Sequence, residues 1–201
     1  MQEAGIGTKA KIFNASLRMF ASEGVENTTI RAIADAANIK NASIYNHYKS
    51  KEHILDECYK FFNAYRDECR LTKAQYLRVL QDGTKEEIIN IPNYSMPEDK
   101  AENLIFALIV TLSRIHIDTK ARDCYTAIKR EAMAYLREVF ETGIEIGRFE
   151  PFDLYPVSLL FLSIKLGAAH SVSIDPQNSG HLIEEQAKML HLLIGIIPFR
   201  Y

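Results

Sequence analysis

The sequence predicts an all-α protein, on three observations. Apolar residues recur at helical spacing through most of the 201 residues. Residues that start and stop helices stand at the breaks between those stretches. Strand-like alternation is nearly absent, and its one short candidate, Glu87-Ile-Ile-Asn-Ile-Pro92, ends in a proline.

The first periodic stretch runs from about Thr8 to Glu23, with Ile12, Ala15, Ser16, Met19 and Phe20 on one face. Thr8 is a candidate cap, and Gly24 stands where a helix end wants positive φ. A short segment follows, capped by Thr28 or Thr29, with Ile30, Ile33, Ala34 and Ala37 as its apolar face. Asn38 is expected in a left-handed turn, since Asn tolerates positive φ. A third short helix is expected over Lys40 to Tyr48. Ser50 then caps a longer one carrying Ile54, Leu55, Cys58, Phe61, Phe62 and Tyr65, which continues, with room for a break, to Leu80 and stops at Asp82-Gly83. Residues 83–97 read as a connector, with a possible capping box at Ser95-Met-Pro-Glu98. Four helices complete the chain: Glu98 to Ile115, a helix capped by Asp118 and ending near Gly147, Pro151 to Ser173, and Gly180 to Ile197. Asp175-Pro-Gln-Asn-Ser-Gly180 separates the last two as a turn.

Composition is that of a globular chain, with 47% apolar and 25% charged residues. That excludes a disordered or collagen-like protein. No stretch reaches the ~20 apolar residues of a membrane span, and the N-terminus carries no apolar signal region, so no membrane partner and a cytoplasmic location are expected. Cys58, Cys69 and Cys124 form no CxxC pair and read as inert buried thiols. Net charge is −2, divided unevenly. Residues 1–51 hold seven Lys/Arg against four Asp/Glu, and the rest hold seventeen against twenty-two. A mildly basic head on an acidic body points the head toward a polyanion.

The most informative stretch is Thr28 to Tyr48. Two short helices joined by a tight turn make a helix-turn-helix, and the small residues Ala34 and Ala37 allow close approach. The second helix displays Lys40, Asn41, Ser43, Tyr45, Asn46 and His47, hydrogen-bonding groups interleaved with aromatics, as a groove-reading helix requires. The alternative is a plain helical hairpin.

From Lys11 the sequence reads KIFNASLRMFASEG, then TTIRAIADAANIKNASIYNHYKSKE from Thr28 to Glu52. This closely resembles the DNA-binding head of the TetR family of bacterial transcriptional regulators. The resemblance covers residues 6–66, and its Tyr-x-x-Tyr-x-Ser-Lys-Glu segment is its most specific part. Asn38 stands where the family more often has Gly, and Asn41 where Lys is common, which implies altered base preference. The resemblance implies an N-terminal three-helix DNA-binding domain, residues 6–66, and a C-terminal helical ligand-binding and dimerisation domain, residues 67–201.

It also implies roles. Thr28 or Thr29, with the free N–H groups of the second helix, would hold a phosphate. Arg31 matches the family residue that reaches a base edge. Asn41 can pair with adenine, and the Ala42 methyl can touch thymine. Ser43 and Tyr45 would contact phosphates, Asn46 and His47 the groove or its wall, and Lys51 would clamp a phosphate, with Lys40 and Lys49 adding positive charge. Each has a plainer alternative. Thr28 can be only a cap, Arg31 and Lys51 solvated charges, and Tyr45 and Tyr48 core residues.

The last two helices, with Leu159, Leu160, Leu162, Ile164 and Leu166, then Leu182, Ile183, Met189, Leu192, Leu193 and Ile196, would form a homodimer interface of four helices. A two-fold dimer spaces recognition helices by the ~34–36 Å that palindromic half-sites need. Phe62, Tyr65, Phe106, Ile109, Leu112, His116, Tyr125 and Met133 are the candidates for an effector pocket among the middle helices. Their character points to a lipophilic small molecule. Effector binding would shift the fourth helix and part the two heads, with a coupling of ~1–3 kcal/mol.

No catalytic constellation is found, and no cofactor or metal is expected. The six histidines form no metal-ligand spacing, and His116 and His170 read as core residues. The expected function is a ligand-responsive repressor. The alternative is an effector-independent DNA-binding adaptor whose C-terminal half contacts a protein.

Overall fold

A computed structural model describes residues 7–68, 70–91, 98–174 and 179–200. Among these the elements are α1 (Thr8–Glu23), α2 (Ile30–Ala36), α3 (Asn41–Ile44), α4 (Lys51–Glu68), α5 (Lys73–Asp82), α6 (Lys85–Asn90), α7 (Glu98–Arg114), α8 (Thr119–Glu145), α9 (Leu154–Ile174) and α10 (Ser179–Leu192). A 3-10 turn, Leu193–Gly195, follows. The expected all-α class is what the structure shows. The only extended pairing among the described residues is an isolated antiparallel bridge between Phe149 and Phe199.

The chain divides into two compact units, Met1–Tyr65 with Glu98–Tyr125, and Arg66–Pro97 with Thr126–Tyr201. The first unit thus includes α7, which a single cut at residue 66 does not anticipate. Ile12, Leu17 and Phe20 of α1 are buried together with Ile33, Ile44, Tyr48 and Ile54, and α7 adds Leu104, Ala107 and Val110. Polar pairs register α7 on α1. Asn103 Nδ2 donates to Asn14 Oδ1 at 3.2 Å, and Arg18 pairs with Glu102 at 2.6 Å. Cys58 and Cys124 are buried, and burial pushes the Cys58 thiol up to about 12. Cys69 lies outside the described residues.

The second unit is built on aromatic packing. Phe140, Phe149, Phe152, Phe161 and Phe199 stack edge-on or tilted at 5.1–6.2 Å between ring centroids. Phe149 presses so close to α8 that a Cβ at Gly143 would lie 2.2 Å from its ring, so no larger residue fits there. Around the bridge, Glu150 N–H donates to Pro198 O at 2.8 Å and Arg200 N–H to Arg148 O at 2.9 Å.

Four expectations need correction. Residues 85–90 are helical, neither connector nor strand. Thr84 and Glu87 form a reciprocal capping box, and Ile88 and Ile89 are buried by it. α1 is capped by Gly7 without a side-chain bond, and Thr8 is its first residue. The third helix is one turn, not nine residues, because the backbone from Tyr45 to His47 continues as turns. The last helix ends at Leu192, with a 3-10 turn where helix to Ile197 was expected. The helix after Phe62 does break, with residues 70–72 non-helical before α5, and Gly83 ends α5. The capping box at Ser95 and the turn at Asp175 fall outside the described residues. Gly147 ends α8 at φ 77.

Candidate nucleic-acid interface

α2 begins where Thr29 leaves the extended region, at φ −104 and ψ 154, and its hydroxyl oxygen accepts from Ala32 N–H at 3.1 Å. That satisfies one of the four donors a helix start leaves open. α2 ends in a double-bonded reversal. Asn38 takes φ 55, its N–H donates to Asp35 O at 3.1 Å, and Ile39 N–H donates to Ala34 O at 3.0 Å. This is the Schellman pattern, in which the residue past the cap must be left-handed. Asn38 fills the position that Gly more often takes, at a tolerable cost for a short polar side chain. The reversal launches α3 two residues later. His47 and Tyr48 N–H both return to Ile44 O at 2.9 Å.

Burial sorts this unit into two sets. Ile33, Ala34, Ala37, Ile44 and Tyr48 are buried, and burial pushes the Tyr48 phenol up to about 12. Thr29, Arg31, Lys40, Asn41, Ala42, Tyr45 and Asn46 are exposed, and Ser43 and His47 are half-buried. Tyr45 stands 57% exposed, too much for a core aromatic.

Two expected contacts have other work in the structure. Thr28 is buried, and both its hydroxyl (2.8 Å) and its N–H (3.3 Å) donate to Gly24 O. It locks the α1–α2 turn behind Gly24, whose φ is 85. The Lys51 ammonium donates to Val25 O at 2.6 Å, Thr28 O at 2.9 Å and Glu26 O at 3.4 Å. An ammonium has three protons, and all three point at this turn. Lys51 therefore positions the start of α2.

The same turn is held from α7, which sequence reasoning missed. Arg114 at the end of α7 pairs with Glu26, and that hydrogen bond holds the Glu26 carboxyl below the ordinary carboxylate value. Arg114 Nε also lies 3.7 Å from Asp118, which accepts from the Tyr59 hydroxyl at 2.9 Å. Burial raises the Asp118 carboxyl, but the Tyr59 bond and the Arg114 charge outweigh it, and the net shift is downward. Asp118 also caps α8 as expected, accepting from Lys120 N–H at 2.9 Å. Glu26 and Arg114 are eighty-eight residues apart, so no local pattern announces the pair.

The effector candidates differ in burial. Phe62 and Ile109 are buried, Phe106, Leu112, Tyr125 and Met133 half-buried, and His116 exposed. The Tyr65 side chain lies outside the described ones. His170 is exposed as well, so neither histidine is a core residue: His116 falls in the turn after α7, and His170 points outward from α9. A cleft of about 760 Å³ lies within the second unit, between α8 and the start of α9. Met133 alone of the eight lines it, beside Thr126, Lys129, Arg130, Ala134 and Arg137, facing Phe152 to Tyr155 and Ser158. Among the described residues, no group of three or more His, Cys, Asp or Glu side chains could hold a metal ion, and no helix is long and apolar enough to cross a membrane.

An all-helical chain that opens with a Schellman-linked helix-turn-helix, polar outward and apolar inward, is a helix-turn-helix protein with a separate helical body. Residues 12–58 match the family described as bacterial regulatory proteins, tetR family. Over 56 residues the chain is 39% identical to the HTH-type transcriptional repressor KstR2 of Rhodococcus jostii, a match spanning 28% of each chain. The whole fold is shared with the ketosteroid transcriptional regulator KstR2 of Mycobacterium tuberculosis, at TM-score 0.64 and 18% identity, covering 99% of this chain and 98% of that one. It is shared equally with a putative transcriptional regulator from Saccharomonospora viridis in complex with choline, at TM-score 0.64, 18% identity, and 96% and 98% coverage. The head of this chain, residues 12–58, is thus similar to that of the tetR family, and the rest shares the fold of solved regulators at low identity.

Proposed function

We propose that the protein is a dimeric, cytoplasmic transcriptional repressor that binds a palindromic operator through α2 and α3 and is released by a small ligand. The observation that carries the reading is the sorting of the helix-turn-helix. Its base-reading candidates Arg31, Asn41, Ala42 and Asn46 are exposed, while its apolar residues are buried beneath them. Thr29 keeps its hydroxyl proton for a phosphate, because only its oxygen is engaged by Ala32. Tyr45, Ser43, His47 and Lys40 flank these positions. Thr28 and Lys51 enter the function by fixing the turn.

Dimerisation through α9 and α10 is supported by Leu160, Met189 and Leu192, large apolar side chains left exposed on those helices, and by exposed Ile196 just after them. Ligand control is supported by the cleft of the second unit and by the complexed state of the Saccharomonospora neighbour. A ligand acts through its different affinity for the DNA-competent and DNA-incompetent states.

The test is binding of purified protein to the DNA upstream of its own gene against a scrambled duplex at fixed salt, with Arg31→Ala alongside. Sequence-specific binding weakened by about 1–3 kcal/mol in Arg31→Ala supports the reading. Equal, weak binding to both duplexes in the variant and the parent refutes sequence reading by this head.

A further inference from the structure

Three cations and one carboxylate surround the cleft of the second unit. Lys129, Arg130 and Arg137 come from α8, and Asp153 precedes α9. On α8 the sequence positions 129, 130, 133, 134 and 137 fall along one stripe, so the cations share a face with Met133 and Ala134. An ordinary surface helix separates its charges from its apolar residues. Here they converge on one concavity, whose apolar part is completed by Phe152, Leu154 and Tyr155.

The charges are incompletely answered. The Asp153 carboxylate already accepts from Tyr155 N–H at 3.1 Å. Arg137 uses its Nε on Glu141, and the nearest carboxylate to Arg130 is that of Glu131 at 4.0 Å. Ser158 is 1% exposed, lines the cleft, and its hydroxyl is buried without a hydrogen-bond partner. A buried hydroxyl of this kind carries a desolvation cost that a bound acceptor would relieve. α9, twenty-one residues long, also begins at Leu154, so the positive end of its dipole stands at the same place.

We propose that this cleft binds an anionic amphiphile, a carboxylate or phosphate ester carrying an apolar body. The anion lies among Lys129, Arg130 and Arg137, and the apolar body lies on Met133, Phe152 and Leu154. The volume suits a molecule of that size. This deepens the ligand-responsive reading and rests on it, since it names the class of effector. It departs from a neutral lipophile, which would leave the positive charge at the mouth incompletely answered.

The experiment is calorimetric titration of the full-length protein with decanoate, decanol and decyltrimethylammonium, each below its micellisation concentration. Decanoate is expected to bind at least tenfold more tightly than decanol, and the ammonium not at all. In Lys129→Gln/Arg130→Gln, decanoate affinity falls at least tenfold, as for loss of ionised hydrogen-bond partners, while decanol affinity is unchanged. Both residues are exposed, so the fold is expected to survive, and an unchanged helical circular dichroism spectrum checks it. Equal affinity for decanoate and decanol, binding of none of the three, or full decanoate affinity in the double variant overturns the proposal. Operator binding of the same preparations is read separately. Loss of decanoate binding with operator binding intact upholds the site, and decanoate binding as expected without any operator binding upholds the site while overturning the regulator reading.

Discussion

Replacing Lys51 with Met keeps the aliphatic stem and removes the ammonium that holds the α1–α2 turn. Two of its three bonds are short, at 2.6 and 2.9 Å, and the third, at 3.4 Å, adds little. A hydrogen bond from an ionised donor is worth about 1.5–3 kcal/mol net, and the bonds share one donor group, so the loss is about 3 kcal/mol. Water recovers little of it, because Val25 is 6% and Thr28 1% exposed. For a chain of this size about 3 kcal/mol corresponds to a fall in Tm of about 6–12 °C. The assay pairs thermal unfolding with the salt dependence of operator binding. A turn brace lowers Tm and leaves the slope of log K against log salt unchanged. A phosphate clamp leaves Tm alone and flattens that slope by about 0.9, the share of one phosphate contact. An unchanged Tm with the flatter slope would refute the assignment of Lys51 to the turn.

Other expectations test the same physics. Asn38→Val puts a β-branched residue at φ 55 and destabilises by about 1–2 kcal/mol, whereas Asn38→Gly is close to neutral; chemical denaturation of both variants measures this. Gly143→Ala sets a methyl 2.2 Å from the Phe149 ring and costs about 1–3 kcal/mol by overpacking, again read as a shift in denaturation midpoint at constant slope. The Glu26 carboxyl is held below its ordinary 4.5 by the bond from Arg114, so its contribution is complete above that value and lost as pH falls through the lower folded value. Tm of the wild-type protein therefore falls more steeply with acid than that of Glu26→Gln, and parallel acid limbs would disprove the linkage. Cys58, buried and pushed up to about 12, resists thiol reagents at pH 8 until the protein unfolds, which a colorimetric thiol assay follows.

What the sequence disclosed, and what it withheld, divides by range. Asn38 and the Thr29 cap were legible because the bonds that define them close within five residues. The same logic shows why α6 was missed despite an available signal. Thr84 and Glu87 have capping-box spacing, but Gly83, Asn90 and the nearby prolines gave the stretch the composition of a connector. At Lys51 and Arg114 nothing local distinguishes a solvated cation from one folded onto backbone carbonyls or a distant carboxylate. Both residues act over more than twenty positions in sequence. The effector candidates rested on a weaker signal. Apolar residues on middle helices are the generic content of any helical core, and only three-dimensional packing separates Met133, at a cleft, from Phe62, which is simply buried. The cations around that cleft were visible as letters, but their convergence with Phe152 and Ser158 was not.

The bridge between Phe149 and Phe199 closes a loop around α9 and α10. Glu150, Arg200, Arg148 and Pro198 tie its two ends together through backbone bonds, and Arg200 adds an ion pair to Glu150 at 2.7 Å. The entropy of bringing those ends together is lost once for both helices. Neither end can fray without opening the other. α9 and α10 therefore form one cooperative opening unit, and their slowest-exchanging amides should share a single protection free energy.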